Sequence, residues 1–291
     1  MTNHPKITTH TKFICIIGHP IEHSLSPLMH NALFQDLKLN YAYLAFDVHP
    51  NNLKAAFDGI RALNIKGANV TIPHKQVSLK YMDRLDPLVK EIGALNTVKN
   101  EDGKLIGRNT DALGARKALD DAKFDLKKKT VIVMGAGGAA RAICYAIKEE
   151  IEELMLMNRT YSKAKQLATE LEKISGLSIK SYDIKDPSIA NLIQSADILI
   201  NTTPIGMYPD VRKSPLPKQA LNEHLNVFDV IYNPLETQLL KDASARGCKT
   251  LGGIDMLINQ GALAFEWWTS KKPDVKLMKK NVIEFLEDKN C

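Results

Sequence analysis

Short apolar runs alternate with longer stretches of mixed apolar and polar positions along most of this chain, the pattern of strands joined by helices. Residues 12–18 (KFICIIG) are β-branched and apolar and end in Gly and Pro, which predicts a first strand. Pro27, tolerated in a first turn, opens a helix over 26–37. Strand 41–48, helix 52–63 and strand 67–72 follow, with a further helical stretch directly after Pro73. Residues 95–99 and 104–107 read as a hairpin around Glu101-Asp102-Gly103. A helix over 111–119 leads to a second block: strand 130–134, a glycine loop, a helix through 147, strand 154–157 and helix 161–174. Strands at 178–182, 198–201, 227–230 and 249–251 continue the alternation, and helices over 255–268 and 275–286 close the chain. Two successive α/β blocks are expected, with helical crossovers between strands.

Composition narrows the class. At 291 residues the chain can hold two modest cores, and 44% hydrophobic with 25% charged residues suits a soluble globular protein. No apolar run reaches the length of a membrane span, and residues 1–12 lack the apolar stretch of a secretory signal. Cys15, Cys144, Cys248 and Cys291 show no paired spacing, so reduced thiols in the cytoplasm are expected. His19, His23 and His30 match no metal-binding spacing; they are expected on loops and helix surfaces, with no metal. The net charge of +6 has its densest run at Lys127-Lys128-Lys129, which reads as a solvated turn. Neither nucleic acid nor membrane is therefore an expected partner, whereas a mild positive field suits anionic small molecules.

The glycine loop Gly135-Ala136-Gly137-Gly138-Ala139-Ala140 sits after an apolar strand and before a helix, the context of a dinucleotide site. Glycines let the backbone turn tightly and approach a pyrophosphate, which then rests on N–H groups at the positive helix end. Ala140 replaces the last glycine, whose task is helix–strand packing. At the end of the next strand stand Asn158, Arg159 and Thr160, with Lys163 close behind, where an NAD site usually has a carboxylate for the ribose. A 2′-phosphate would meet no repulsion there, and Arg159 can grip it with two donors, so NADP is favoured over NAD.

Further polar clusters recur at strand ends, where open α/β sheets bind ligands. NVTIPHK (69–75) places Lys75 just past a strand and on the first turn of a helix, a position that suits a proton-transfer group. Asn96-Thr97 after Gly93, and Asn109-Thr110-Asp111 after strand 104–107, add further polar groups, and Asp111 is either a partner that orients Lys75 or a helix-start carboxylate. Ser24 and Ser26 offer two hydroxyls at a helix start, either a carboxylate cradle or a cap.

Taken together, these strings resemble the shikimate dehydrogenase family over nearly the whole chain. The carriers are SLSP (24–27), NVTIPHK, GALNT (93–97), GRNTD (107–111), GAGGAA, NRT (158–160), NTTPIGM (201–207), DVIYNPLET (229–237) and GGIDMLINQGALAFEWW from Gly252. The resemblance implies NADP-dependent, reversible reduction of 3-dehydroshikimate to shikimate, with a quinate/shikimate dehydrogenase of dual cofactor use, or a non-catalytic NADP-binding regulator, as alternatives. It implies that Ser24 and Ser26, helped by Tyr232, hold the substrate carboxylate. Lys75, Asn96, Asp111 and Gln260 would hold the ring hydroxyls, with Thr71 nearby, and Lys75 paired with Asp111 would donate the proton. The nicotinamide would be placed by the 201–207 loop, including Thr202, and by Ile231 and Gly253. Lys163 stands where many relatives carry a second Arg, and Asp255 where Gly is commoner. The implied architecture is a substrate domain of residues 1–111 plus 252–291 and a Rossmann-type NADP domain of residues 112–251. The C-terminal helices would return to the first domain, with substrate binding in a cleft between the two. A monomer or homodimer is expected.

Overall fold

The computed structural model describes residues 7–289, the side chain of the last excepted. The chain divides into two compact units, Met1–Thr110 with Ile258–Cys291, and Asp111–Leu257.

In the first unit β1 (Lys12–Gly18) leads through α1 (Ser26–Asp36) to β2 (Tyr41–Asp47), and α2 (Leu53–Ala62) returns the chain to β3 (Gly67–Val70). The short β4 (Arg84–Leu85), α3 (Pro87–Ile92) and the hairpin β5 (Thr97–Glu101) and β6 (Lys104–Arg108) complete one mixed sheet of order β2-β1-β3-β5-β6-β4. Side chains alternate across a strand, so Cys15 and Ile17 of β1 join Leu53, Phe57 and Ile60 of α2 in one core layer. Ile14 and Ile16 point to the opposite face and are also buried.

The second unit opens with α4 (Asp111–Asp121). It continues with β7 (Thr130–Met134), α5 (Gly138–Ile147), β8 (Glu153–Asn158), α6 (Tyr161–Ser175), β9 (Ile179–Asp183) and α7 (Ile189–Ser195). After these come β10 (Ile198–Asn201), β11 (Asn226–Asp229), α8 (Gln238–Ser244) and β12 (Lys249–Leu251). The six strands form a sheet of order β12-β11-β10-β7-β8-β9, every neighbouring pair parallel. Both faces are covered: Val131 and Val133 pack with α4, α5 and α6, while Ile132 and Met134 pack with α7 and α8. Burial on both sides is why these strands read as unbroken apolar runs. The strand order reverses between β7 and β10, a topological switch point of the dinucleotide-binding type.

The chain ends in α9 (Ile254–Thr269) and α10 (Val275–Lys289). The part of α9 beyond Leu257 belongs to the first unit, where Phe265 stacks on Phe34 of α1 and Trp268 donates from Nε1 to Val98 O at 2.9 Å. Among the described residues no helix is long and apolar enough to cross a membrane, and no cluster of side chains could hold a metal ion. Cys15, Cys144 and Cys248 are buried free thiols, and Cys291 lies outside the described residues.

Candidate active site

In the first unit the polar strand ends gather on Asn96, just before β5. Its Oδ1 accepts from Thr110 N at 2.7 Å and from Thr97 Oγ1 at 3.1 Å. Its Nδ2 donates to Thr110 Oγ1 at 2.9 Å and to Gln260 Oε1, on α9, at 3.2 Å. Asn69 of β3 is tied in by donation to Asn96 O (3.1 Å) and Thr97 Oγ1 (3.3 Å), and it accepts from the Tyr43 phenol at 2.6 Å. Asn69, Asn96, Thr97, Thr110 and Gln260 are all buried. Groups of this kind, neutral and held in one arrangement, can read the hydroxyls of a small polyol by donor and acceptor pattern.

The half-buried Lys75 lies on the same framework, since its carbonyl accepts from Leu95 N at 2.9 Å. Thr71, also half-buried, donates from its amide to Ile17 O at the end of β1. Ser26 is buried at the start of α1, and its amide donates to Ser24 Oγ at 3.3 Å. The N-cap of α1 is Leu25, with no side-chain hydrogen bond, so neither serine caps the helix. Asp111, buried, directly follows Thr110 and opens α4.

Two expectations need correction. Lys75 is not on the first turn of an α-helix: it lies in a turn ahead of a five-residue 3-10 helix, Val77–Tyr81. Met82 is already extended and Asp83 N bonds Leu105 O to lead into β4, so only a short tight helix fits before the sheet resumes. His30 is not on a helix surface. It is wholly buried, with its ring stacked 4.6 Å from Tyr43 and 6.1 Å from Phe265, and neither ring nitrogen has a hydrogen-bond partner. Burial pushes its pKa down to about 3.

In the second unit the glycine loop lies at the switch point. Gly135 has φ +113, and a Cβ there would overlap Thr202 Oγ1, so glycine is required by conformation and by space. Thr202 donates to Met134 O at 2.7 Å, locking the strand end behind the loop. Gly137, the N-cap of α5, is exposed, and a Cβ there would meet nothing within 4 Å. No side chain caps this helix, so its first amides stand open toward that space, the arrangement a pyrophosphate needs. Ala136, Gly138 and Ala139 line the same turn, half-buried. The residues present therefore fit a dinucleotide.

At the end of β8, Asn158 donates to Thr160 O at 2.9 Å, which shapes the turn carrying the exposed Arg159, Thr160 and Lys163. The acid in register with Asn158 is Asp183 on the neighbouring β9, and it accepts from Lys185 N at 2.9 Å.

The ends of β10 and β11 are joined by Asp229, which is fully buried. Its Oδ1 accepts from Asn201 Nδ2 at 3.0 Å and Ile231 N at 3.1 Å, and its Oδ2 from Thr237 Oγ1 at 2.7 Å. Burial raises its pKa to about 6 against these three donors. Asn201 Oδ1 in turn accepts from the amide and hydroxyl of Thr203 at 3.0 and 2.7 Å. Gly253 donates to Ile231 O at 3.1 Å, and a Cβ there would overlap Val230 O. Tyr232 is half-buried by area, yet its phenol lies deep enough that burial pushes it up to about 12. Neither Tyr43 nor Asp229 stands out as a site residue in the sequence. Asp229 opens the DVIYNPLET string, and a carboxylate inside an apolar strand end was the available signal.

Comparisons with known proteins agree along the chain. A family model described as shikimate dehydrogenase substrate binding domain matches residues 16–98, and one described as shikimate / quinate 5-dehydrogenase matches 116–230. A third, shikimate 5'-dehydrogenase C-terminal domain, matches 253–283. The chain is 48% identical over 282 residues to the shikimate dehydrogenase (NADP(+)) of Methanocaldococcus jannaschii, covering 96% of this chain and 98% of that one. It is similar to a crystal structure of a shikimate dehydrogenase in complex with NADP+, with TM-score 0.90 and 45% identity over 98% of this chain and 99% of the other. A shikimate 5-dehydrogenase from Listeria monocytogenes, solved with shikimate and NAD, gives TM-score 0.84 and 40% identity over 94% and 97% of the two chains.

Proposed function

The chain belongs to the shikimate dehydrogenase family, and from that premise we propose that it catalyses the NADPH-dependent, reversible reduction of 3-dehydroshikimate to shikimate. The observation that carries this reading is the buried Asn96 cluster, whose neutral donors and acceptors suit a ring polyol and share a framework with Lys75.

In this reading bound NADPH supplies the hydride. The glycine loop, Gly135 to Ala139, receives the pyrophosphate on its amides. Arg159, with Asn158, Thr160 and Lys163, holds the 2′-phosphate through charge-assisted bonds. Thr202, Ile231 and Gly253 flank the nicotinamide. Ser24 and Ser26, with Tyr232, bind the substrate carboxylate, while Asn96, Gln260 and Thr71 fix the ring hydroxyls. The Lys75 ammonium gives its proton to the carbonyl oxygen, which becomes the new hydroxyl, and Asp111 orients that ammonium. In the oxidative direction Lys75 takes the proton back. The substrate half is assigned to residues 1–111 plus 252–291 and the cofactor half to 112–251. The protein is taken to work in the cytoplasm as a monomer or homodimer; light scattering measures the latter.

The deciding experiment is oxidation of shikimate and quinate with NADP+ and NAD+, in all four pairs. Shikimate with NADP+ is expected to be the most efficient. Comparable efficiency with NAD+ overturns the cofactor assignment, and comparable turnover of quinate makes the protein a quinate/shikimate dehydrogenase.

A further inference from the structure

Two loops leave the carboxyl ends of neighbouring strands in the second unit, one after Asn201 of β10 and one after Asp229 of β11, and these two residues stand in register. The Asp229 carboxylate bonds both loops. It accepts from Asn201 at 3.0 Å on one side, and from Ile231 N at 3.1 Å and Thr237 Oγ1 at 2.7 Å on the other. Each partner transmits the hold further. Asn201 fixes Thr203 through two bonds, Ile231 O receives Gly253 N, and Thr237 caps α8 by accepting from Leu240 N at 3.3 Å. Asp229 is fully buried and enclosed by its own donors, so it does not present itself to a ligand.

We propose that Asp229 is a positioning residue for the nicotinamide half of the cofactor site: through Asn201, Ile231 and Thr237 it sets the two loops that place the ring for hydride transfer. The proposal rests on the NADP reading above. A group that acts this way governs the geometry of reaction more than total cofactor affinity, because the adenosine half is gripped elsewhere, on the glycine loop and at Arg159. The side chain has a conservative test. Asparagine at this position keeps an oxygen for Asn201 and Ile231, and its amide can donate to a rotated Thr237 hydroxyl.

The experiment compares Asp229→Ala, Asp229→Asn and Thr237→Val with the wild-type chain. It measures kcat and KM for shikimate oxidation, and the affinities for NADP+ and for 2′,5′-ADP, which reports the adenosine half alone. Asp229→Ala is expected to lower kcat by about tenfold or more. It should weaken NADP+ several-fold while 2′,5′-ADP binds as before, and Asp229→Asn should recover most of the lost turnover. Thr237→Val, which removes one of the three bonds, should move the same quantities in the same direction by less; it decides the matter if the alanine variant does not fold. Unchanged kcat in the variants, or loss of 2′,5′-ADP binding in step with kcat, overturns the proposal. If the wild-type chain oxidises neither acid, the functional reading fails, and the gap between NADP+ and 2′,5′-ADP affinity still decides the role of Asp229.

Discussion

Asn96 donates from Nδ2 to Gln260 Oε1 at 3.2 Å, joining two candidate substrate residues that lie 164 positions apart. The bond ties α9 to the strand ends on which Lys75 is held. Gln260→Leu deprives Asn96 of one partner and the ring hydroxyls of a reader. A lost buried hydrogen bond costs about 1–3 kcal/mol, so kcat/KM for shikimate should fall by about tenfold or more. NADP+ affinity should not change. An unaltered KM for shikimate in steady-state kinetics would remove Gln260 from the site.

Lys75→Ala is expected to lose turnover by about two orders of magnitude or more, the usual size of a general acid–base contribution. Its binding of NADP+, followed by fluorescence, should stay close to that of the wild type. Near-normal turnover would take Lys75 out of proton transfer.

The first two glycines of the phosphate loop should fail in different ways. At Gly135 the positive φ and the overlap with Thr202 Oγ1 make alanine strained, at about 1–3 kcal/mol, so Gly135→Ala should melt at lower temperature. Gly137 has ordinary φ (−89) and open space around it, so Gly137→Ala should melt like the wild type. On the proposed reading the new methyl would enter the space of the pyrophosphate, so it should weaken NADP+ binding. Calorimetry and cofactor titration on the same two samples check both statements; equal melting shifts would contradict the steric account.

Arg159 is exposed at the end of β8, free to offer its planar fork to a phosphate. Arg159→Ala should raise KM for NADP+ by about tenfold or more, the worth of a charge-assisted pair, and leave KM for NAD+ nearly alone. Equal losses with both cofactors would refute the phosphate role.

His30 gives a pH dependence with a definite sign. Its folded pKa of about 3 lies below the ordinary 6.5, so between these values the unfolded chain binds the extra proton. Stability therefore falls as pH drops from 6.5 toward 3. His30→Phe preserves the stack on Tyr43 and Phe265, removes two unpartnered nitrogens and abolishes this titration. The variant should be at least as stable as the wild type at pH 7.5, with its advantage growing at pH 4.5. Denaturant unfolding at the two pH values reads it out; a constant difference would mean that His30 is not the titrating group.

Much of the fold is legible because burial leaves a pattern in the sequence. In β7, Val131 and Val133 face one core layer and Ile132 and Met134 the other, which leaves an unmistakable apolar run. Short elements escaped for the converse reason. The six residues of α3 and seven each of α7 and α8 are too few turns for a 3.6-residue period to emerge, and β4 is two residues held by β6. The sequence suggests a helix at Lys75 because local pattern does not distinguish an α-helical turn from a 3-10 turn drawn back into a sheet. The burial of His30 is not legible because it is completed over Tyr43 by Phe265 and Trp268, residues far along the chain. For the site, motif strings point to the side chains proposed to bind ligands, whereas Tyr43 and Asp229 are engaged in contacts that only the folded chain displays.

The second unit is one unbroken stretch, Asp111–Leu257, whereas the first is completed by Ile258–Cys291. During synthesis, therefore, the whole parallel sheet emerges before the opening third of the chain has its last partners. Trp268, which fills the space over Gly67 and bonds Val98 O, leaves the ribosome after every strand of that sheet. A nascent chain stopped at residue 257 carries every strand of the nucleotide sheet and an older sheet still half-covered, with His30 exposed on the side that Phe265 will close.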